Sequence, residues 1–196
     1  MIGDYKGEVK NKVLTALFQA YLDVLDYDGL KSILREAELL ELKDTKDADP
    51  NKSIDFFSFK KIITAQNCLL YGCYNLLFEI GKKFSFYLYP YGKDFKEIVG
   101  ELNTLIKANW NIEILEMKTR SNYDEIKSVK IKIENCVFCL EVGVPCIFIV
   151  GFLVHSLKKS LPANRKITYS GLEDANDPTH ATFILKLRSK KNKIKH

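Results

Sequence analysis

The chain has 196 residues, a mass of 22.6 kDa and a formal net charge of +5. Apolar residues make up 46% and charged residues 28%, which suits one packed core and is too apolar for a disordered chain. The sequence has no membrane-length apolar run and no basic-then-apolar opening, and its five cysteines are too sparse for a disulfide scaffold, so a cytoplasmic protein without a membrane span is expected.

From Glu8 to Asp26, the residues Val13, Leu14, Leu17, Phe18, Tyr21, Leu22 and Leu25 recur at three- and four-residue steps. That spacing predicts a helix with one apolar face. Asp28-Gly29 should break it, and a second helix should span Leu30 to Leu39. Lys43 to Asp55 is polar, carries Asp49-Pro50-Asn51 and reads as a loop. Phe56 to Lys83 reads as one long central helix, apolar over more than half its circumference. Gly72 falls inside it, where glycine costs about 1 kcal/mol against alanine. It would mark close packing or a bend beside a cavity. Phe84 to Gly92 is strongly aromatic and reads as a short strand or a covering loop. Asp94 to Ala108 is helical again, with Asp94 as its cap.

The period then changes. Asn111 to Lys118 alternates with a slip, Ser121 to Glu125 turns the chain, and Val129, Ile131 and Ile133 alternate with charged residues. These two strands should form a hairpin. Cys146 to Ser160 reads as a helix, and Lys166 to Tyr169 and Thr182 to Leu187 as two further strands. The expected fold class is therefore α+β, with N-terminal helices and a long central helix packed on a small antiparallel sheet. The expected division is a helix pair over residues 1–42, a main domain over 43–188 and a basic, disordered tail over 189–196.

Much of the net charge lies in the stretch Arg188 to His196. Without it the body is close to neutral, so neither a basic binding face nor a specific nucleic-acid partner is expected. Cys136 and Cys139 form a Cys-x2-Cys pair, and Cys146 follows Pro145. Such a pair aims two thiolates at one metal, and Cys146 with His155 or His180 would complete the ligands. Buried structural thiols and a redox pair are the competing readings. Cys68 and Cys73, on the central helix, are expected to be buried in packing. Glu173, Asp174 and Asp177 lie near His180, but Asn176-Asp177-Pro178 is turn chemistry first. The sequence has no nucleophile elbow and no phosphate-binding glycine loop, so hydrolase and kinase readings have little support.

Three stretches carry a resemblance: Val144 to His155, Lys166 to Tyr169, and His180 to Phe183. With Tyr71-Gly72, Ile80-Gly81-Lys82 and Asn135 to Cys139, the region from Val9 to Arg188 resembles a 4-vinyl-reductase-like domain. Its Asn-Cys-Val-Phe-Cys is similar to a stretch of archaeal members. The resemblance implies a fold related to TRAPP subunits, a homodimer, and an apolar ligand held in the core as in hydrocarbon-binding proteins. Effector sensors in that family hold zinc on cysteines and a glutamate. Cys146 matches one such position, but Ser170, Glu173 and Ala181 stand near the others, so two cysteines are missing and that zinc site is expected to be absent unless Cys136 and Cys139 replace it.

The leading expectation is a non-catalytic sensor or carrier domain that binds a hydrophobic small molecule and signals through a separate output partner. Its pocket would be lined by Phe59, Cys68, Tyr71, Gly72, Phe78, Phe86, Cys146 and Phe148. The rival is a TRAPP-like assembly subunit with a filled core and a contact face on Phe18 and Leu22. The third reading is a metal or redox protein using Cys136, Cys139 and Cys146, with zinc as the metal and His180 as a further ligand.

Overall fold

A computed structural model describes residues 6–47, 49–90, 93–119, 126–139, 146–173 and 182–191. The chain opens on strand β1 (Glu8–Lys10) and helix α1 (Asn11–Glu36), followed by a 3-10 helix over Leu40–Asp47. Strand β2 (Ser53–Asp55) leads into α2 (Phe56–Leu69), α3 (Tyr74–Leu88) and α4 (Phe95–Leu105). Then come β3 (Ile106–Lys107), β4 (Asn111–Thr119), β5 (Ile126–Glu134), α5 (Ile147–Lys159), β6 (Arg165–Glu173) and β7 (Thr182–Lys191). One antiparallel sheet has the order β2-β1-β3 and the other β4-β5-β7-β6. The α+β class expected from the hydrophobic periods is the one observed.

Local chemistry moved several boundaries. The first two expected helices form one element, α1, which kinks at Asp26 (φ 62°, ψ −170°) rather than breaking at Asp28-Gly29. The Asp26 carboxylate makes this possible. Its Oδ1 accepts from the backbone N–H of Asp28 (2.9 Å) and of Gly29 (3.1 Å), which caps the second half of the helix. Glu8 to Lys10 is a strand because Val9 pairs with Ile54 and Ile106 on either side. The expected loop before Phe56 contains the 3-10 turn and β2. Phe18 is buried and Leu22 packs against the core, so the contact face expected on the helix pair points inward.

The single central helix is two. Asp55 starts α2, accepting from Ser58 N–H at 2.9 Å and from the Ser58 hydroxyl at 2.7 Å. The chain leaves α2 at Leu69 and turns through Gly72, whose φ of 75° lies in the left-handed region. Nothing lies within 4 Å of a Cβ built on Gly72, so it serves a turn and neither close packing nor a cavity wall. Cys68 and Cys73 flank this turn and are exposed, against the expectation of buried packing. The aromatic run after Lys83 continues α3 to Leu88 instead of forming a strand or loop.

Helix α3 packs against both α1 and α5. Phe59, Phe84, Phe138, Phe148 and Phe152 are buried together where α2, α3 and α5 meet the end of β5. The β4–β5 hairpin carries the expected slip, a register shift between Ile114 and Glu116. Strand β7 runs to Lys191, so Ser189 to Lys191 pair with β6 instead of joining a tail.

A candidate three-thiol centre

Strand β5 ends on Asn135, whose φ of 48° turns the backbone sharply. The Cys136 to Cys139 turn closes with a bond from Cys139 N–H to the Cys136 carbonyl, 3.2 Å. Val137 and Phe138 point into the core and anchor the turn by apolar burial. Helix α2 holds it from the other side. Lys60 Nζ donates to the carbonyls of Val137 (2.9 Å) and Cys139 (3.1 Å). Asn67 Nδ2 donates to the Phe138 carbonyl at 2.9 Å. Lys60 and Asn67 are two turns apart on α2 and so face the same way.

A polar chain leads away from this turn. Asn67 Oδ1 accepts from Gln66 Nε2 (2.9 Å), and Gln66 Oε1 accepts from the hydroxyl of Tyr21 (2.9 Å) on α1. Gln66 and Tyr21 are both fully buried. Cys146 sits just before the first residue of α5, and its thiol lies 3.4 Å from the Phe138 carbonyl.

These elements bring the sulfurs of Cys136, Cys139 and Cys146 within 4.8 Å of one another, each half-buried. Three thiols this close cannot ionise independently. Cys136 and Cys139 hydrogen-bond to Cys146 and hold its thiol well below the ordinary range, helped by the backbone N–H groups of Ile149 and Phe148. Burial pushes Cys136 well up. Cys139 is pushed well up first by its bonds to Cys136 and Cys146 and then by burial. Lys60 is lowered by burial, and the three thiols pull it back toward its charged form. The trio therefore concentrates negative charge on Cys146, with an ammonium beside it.

The residues expected to line a pocket fall into two groups. Phe59 and Phe148 each contact Phe138, with ring centroids 6.0 and 4.8 Å away, and Cys146 adjoins the same residue. Phe78 is partly buried and stacks on Tyr169 at 6.1 Å. Cys68 is exposed, Tyr71 is 76% exposed and Phe86 45% exposed, and Gly72 lies on the open turn. His180, Asp174 and Asp177 lie outside the described residues, and Glu173 ends β6. His155 stands on α5 beside Phe86, and the thiol group within 4.8 Å does not include it. Sequence reasoning found the three cysteines but missed Lys60, Asn67 and Gln66. Their seven-residue and adjacent spacing on α2 was the available signal.

No known family profile matches the chain, and no curated protein matches it. Solved structures do. A point variant of the Tt H-NOX domain is 12% identical with a TM-score of 0.60, covering 96% of this chain and 98% of that one. An oxygen-binding H-NOX domain related to soluble guanylate cyclases, in its oxygen complex, is 14% identical with a TM-score of 0.59, covering 94% and 96%. An H-NOX structure from work on heme distortion in that family is 14% identical with a TM-score of 0.58, covering 94% and 96%. The fold is thus shared with H-NOX domains over nearly the whole chain.

This overturns the 4-vinyl-reductase-like and TRAPP-like assignment. The residues that carried it have local explanations. Gly81 and Gly151 let α3 and α5 touch, and Cys146 starts a helix. Any closely packed helix pair next to a sheet would ask for the same residues, so they do not identify a family.

Proposed function

We propose that this chain is a non-catalytic sensing domain that uses an H-NOX-like fold to present a three-thiol site for a soft metal ion, zinc foremost. The observation that carries the reading is the convergence of Cys136, Cys139 and Cys146 within 4.8 Å. Tetrahedral zinc with Zn–S bonds near 2.3 Å sets its sulfurs about 3.8 Å apart, so only a small contraction is needed. A low-lying thiolate at Cys146 supplies the first ligand, and metal binding would draw the protons from the other two. When bound, zinc supplies a fixed charge and a crosslink between β5 and α5. The α2 contacts orient the turn, and Lys60 offsets the surplus charge of three thiolates.

One of the similar structures comes from work on heme. The residues of this chain do not fit a heme in the core. Phe138 and Phe148 stack at 4.8 Å, and Phe84 lies 5.5 Å from Phe148 and 5.4 Å from Phe152, so ring contacts occupy the interior. The same filling argues against a large apolar pocket and in favour of the centre at the turn.

The test is metal analysis of the purified chain with added zinc, then cobalt(II) as a spectroscopic substitute. The expected result is one metal per chain, thiolate-to-cobalt charge-transfer bands, and loss of both in Cys139→Ser. A chain that takes up no metal, and whose thermal stability is unchanged by zinc or by a chelator, would overturn the reading. Uptake of hemin with a sharp Soret band would replace it with a heme-based one.

A further inference from the structure

We infer that the far end of the larger sheet, away from the thiol turn, is a binding site for a small polyanion carrying two or more phosphate groups. Near the β4–β5 connection the strands enclose an open hollow of about 630 Å³. Its cationic lining is Lys118, Lys127, Arg165, Lys186, Arg188 and Lys190, with Ser128 and Ser189 between them and no acidic residue. The expectation of a neutral body without a basic face is thereby corrected. The cations are spread through β4 to β7 in sequence and meet only when the strands pair.

The register shows that this concentration works against the sheet. Lys118, Ser128, Arg188 and Thr168 form one row across the four strands. On its two sides Lys130 lies directly opposite Lys186, and Lys166 directly opposite Lys190. Like charges facing each other across a ladder destabilise it. Glu116 offsets part of this, since it lies directly opposite Lys130 and pairs with Lys118 at 3.0 Å. Two like-charge pairs kept in one sheet point to a function that needs the charge.

The buried Arg165 and Ser189 lie on the core face of the sheet with Leu187, while Lys186, Arg188 and Lys190 alternate to the open face and form the accessible wall of the hollow. Guanidinium and ammonium groups gathered in this way suit phosphate oxygens, with Arg188 able to bind in bidentate fashion. The volume falls in the range of small-molecule sites, which favours a compact polyphosphate or nucleotide over a long nucleic-acid strand.

The experiment is calorimetric titration of the full chain, free of divalent metal, with sodium tripolyphosphate and separately with ATP. The expected result is saturable one-to-one binding that weakens as salt rises. Arg188 is exposed, so Arg188→Gln should fold normally, and it should weaken binding about tenfold through loss of a charge-assisted contact. Lys186→Gln serves as a second variant, and Cys139→Ser should bind as the parent does, which separates this site from the thiol centre. Equal affinity for both probes would assign recognition to the phosphate chain, and tighter ATP binding would place the nucleoside in the hollow as well. No saturable heat at low salt, or unchanged affinity in both charge variants, would overturn the proposal. So would tight binding of a single-stranded oligonucleotide with none of either phosphate probe.

Discussion

Gly81 on α3 and Gly151 on α5 are reciprocal: each admits the backbone of the other's helix. A Cβ on Gly81 would lie 2.0 Å from the Phe148 carbonyl oxygen, and one on Gly151 would lie 2.2 Å from that of Phe78. One turn beyond Gly81, Ser85 meets Ser156 across the same seam at 2.8 Å. Both obstructing atoms are main chain, so neither can swing aside. Gly81→Ala and Gly151→Ala should each cost about 3 kcal/mol by forcing the helices apart. Urea unfolding of the two single variants and the double variant checks this. The double should cost less than the sum, because the first methyl already separates the helices.

Gly100 gives the opposite expectation. It lies in α4, is exposed, and a Cβ there meets nothing within 4 Å. Gly100→Ala should stabilise the chain by about 1 kcal/mol through helix propensity alone. The same unfolding measurement reads it, with an unchanged m-value.

His155 makes stability depend on mild acid. Burial first, then the charges of Lys159, Lys82 and Lys83, lower its pKa to about 4, while Glu79 opposes them. An unfolded histidine titrates near 6.5. Between those values the unfolded chain binds more protons, so stability present above pH 6.5 is lost as pH falls toward 4. His155→Phe should flatten that part of the stability–pH profile. An unaltered slope from pH 6.5 to 4.5 would show that His155 is not responsible.

Lys60→Met should loosen the thiol turn and weaken its charge balance together. It removes two bonds to the turn carbonyls and the cation beside the thiols. In the metal-free chain, alkylation by iodoacetamide followed by peptide mapping should label Cys146 first, and at lower pH than Cys136 or Cys139. In Lys60→Met the pH midpoint for Cys146 should rise. First labelling at Cys136 would contradict the charge distribution.

The fold class was legible because the periods were clean. Alternation at Val129, Ile131 and Ile133 gave β5, and three-and-four spacing from Val13 to Tyr21 gave α1. What escaped were features set by single residues acting over distance. Asp26 caps a kink through its own carboxylate, and Gly72 ends a helix that hydrophobic pattern alone would continue to Lys83. The cysteine trio was legible as a pattern, but its support was not, since Lys60 and Asn67 lie 77 and 71 residues from the carbonyls they hold. The basic hollow was hidden for the same reason. Lining residues such as Lys118, Ser128 and Arg188 become neighbours only through register.

The bonds from Tyr21 through Gln66 and Asn67 to the Phe138 carbonyl all run in one sense, donor to acceptor, from α1 to the cysteine turn. Turning the Asn67 amide end for end would set donor against donor and acceptor against acceptor, and turning Gln66 would set its oxygen against that of Asn67, so each has a single orientation. The chain thus works like a row of interlocked keys, in which no key rotates alone. Separating the turn from α2 strands the Asn67 amide, and sliding α1 strands a buried phenol and a buried glutamine. In native-state hydrogen exchange, amide protons around Val137 to Cys139 and those of α1 near Tyr21 should therefore exchange in one concerted opening, although more than a hundred residues of sequence separate them.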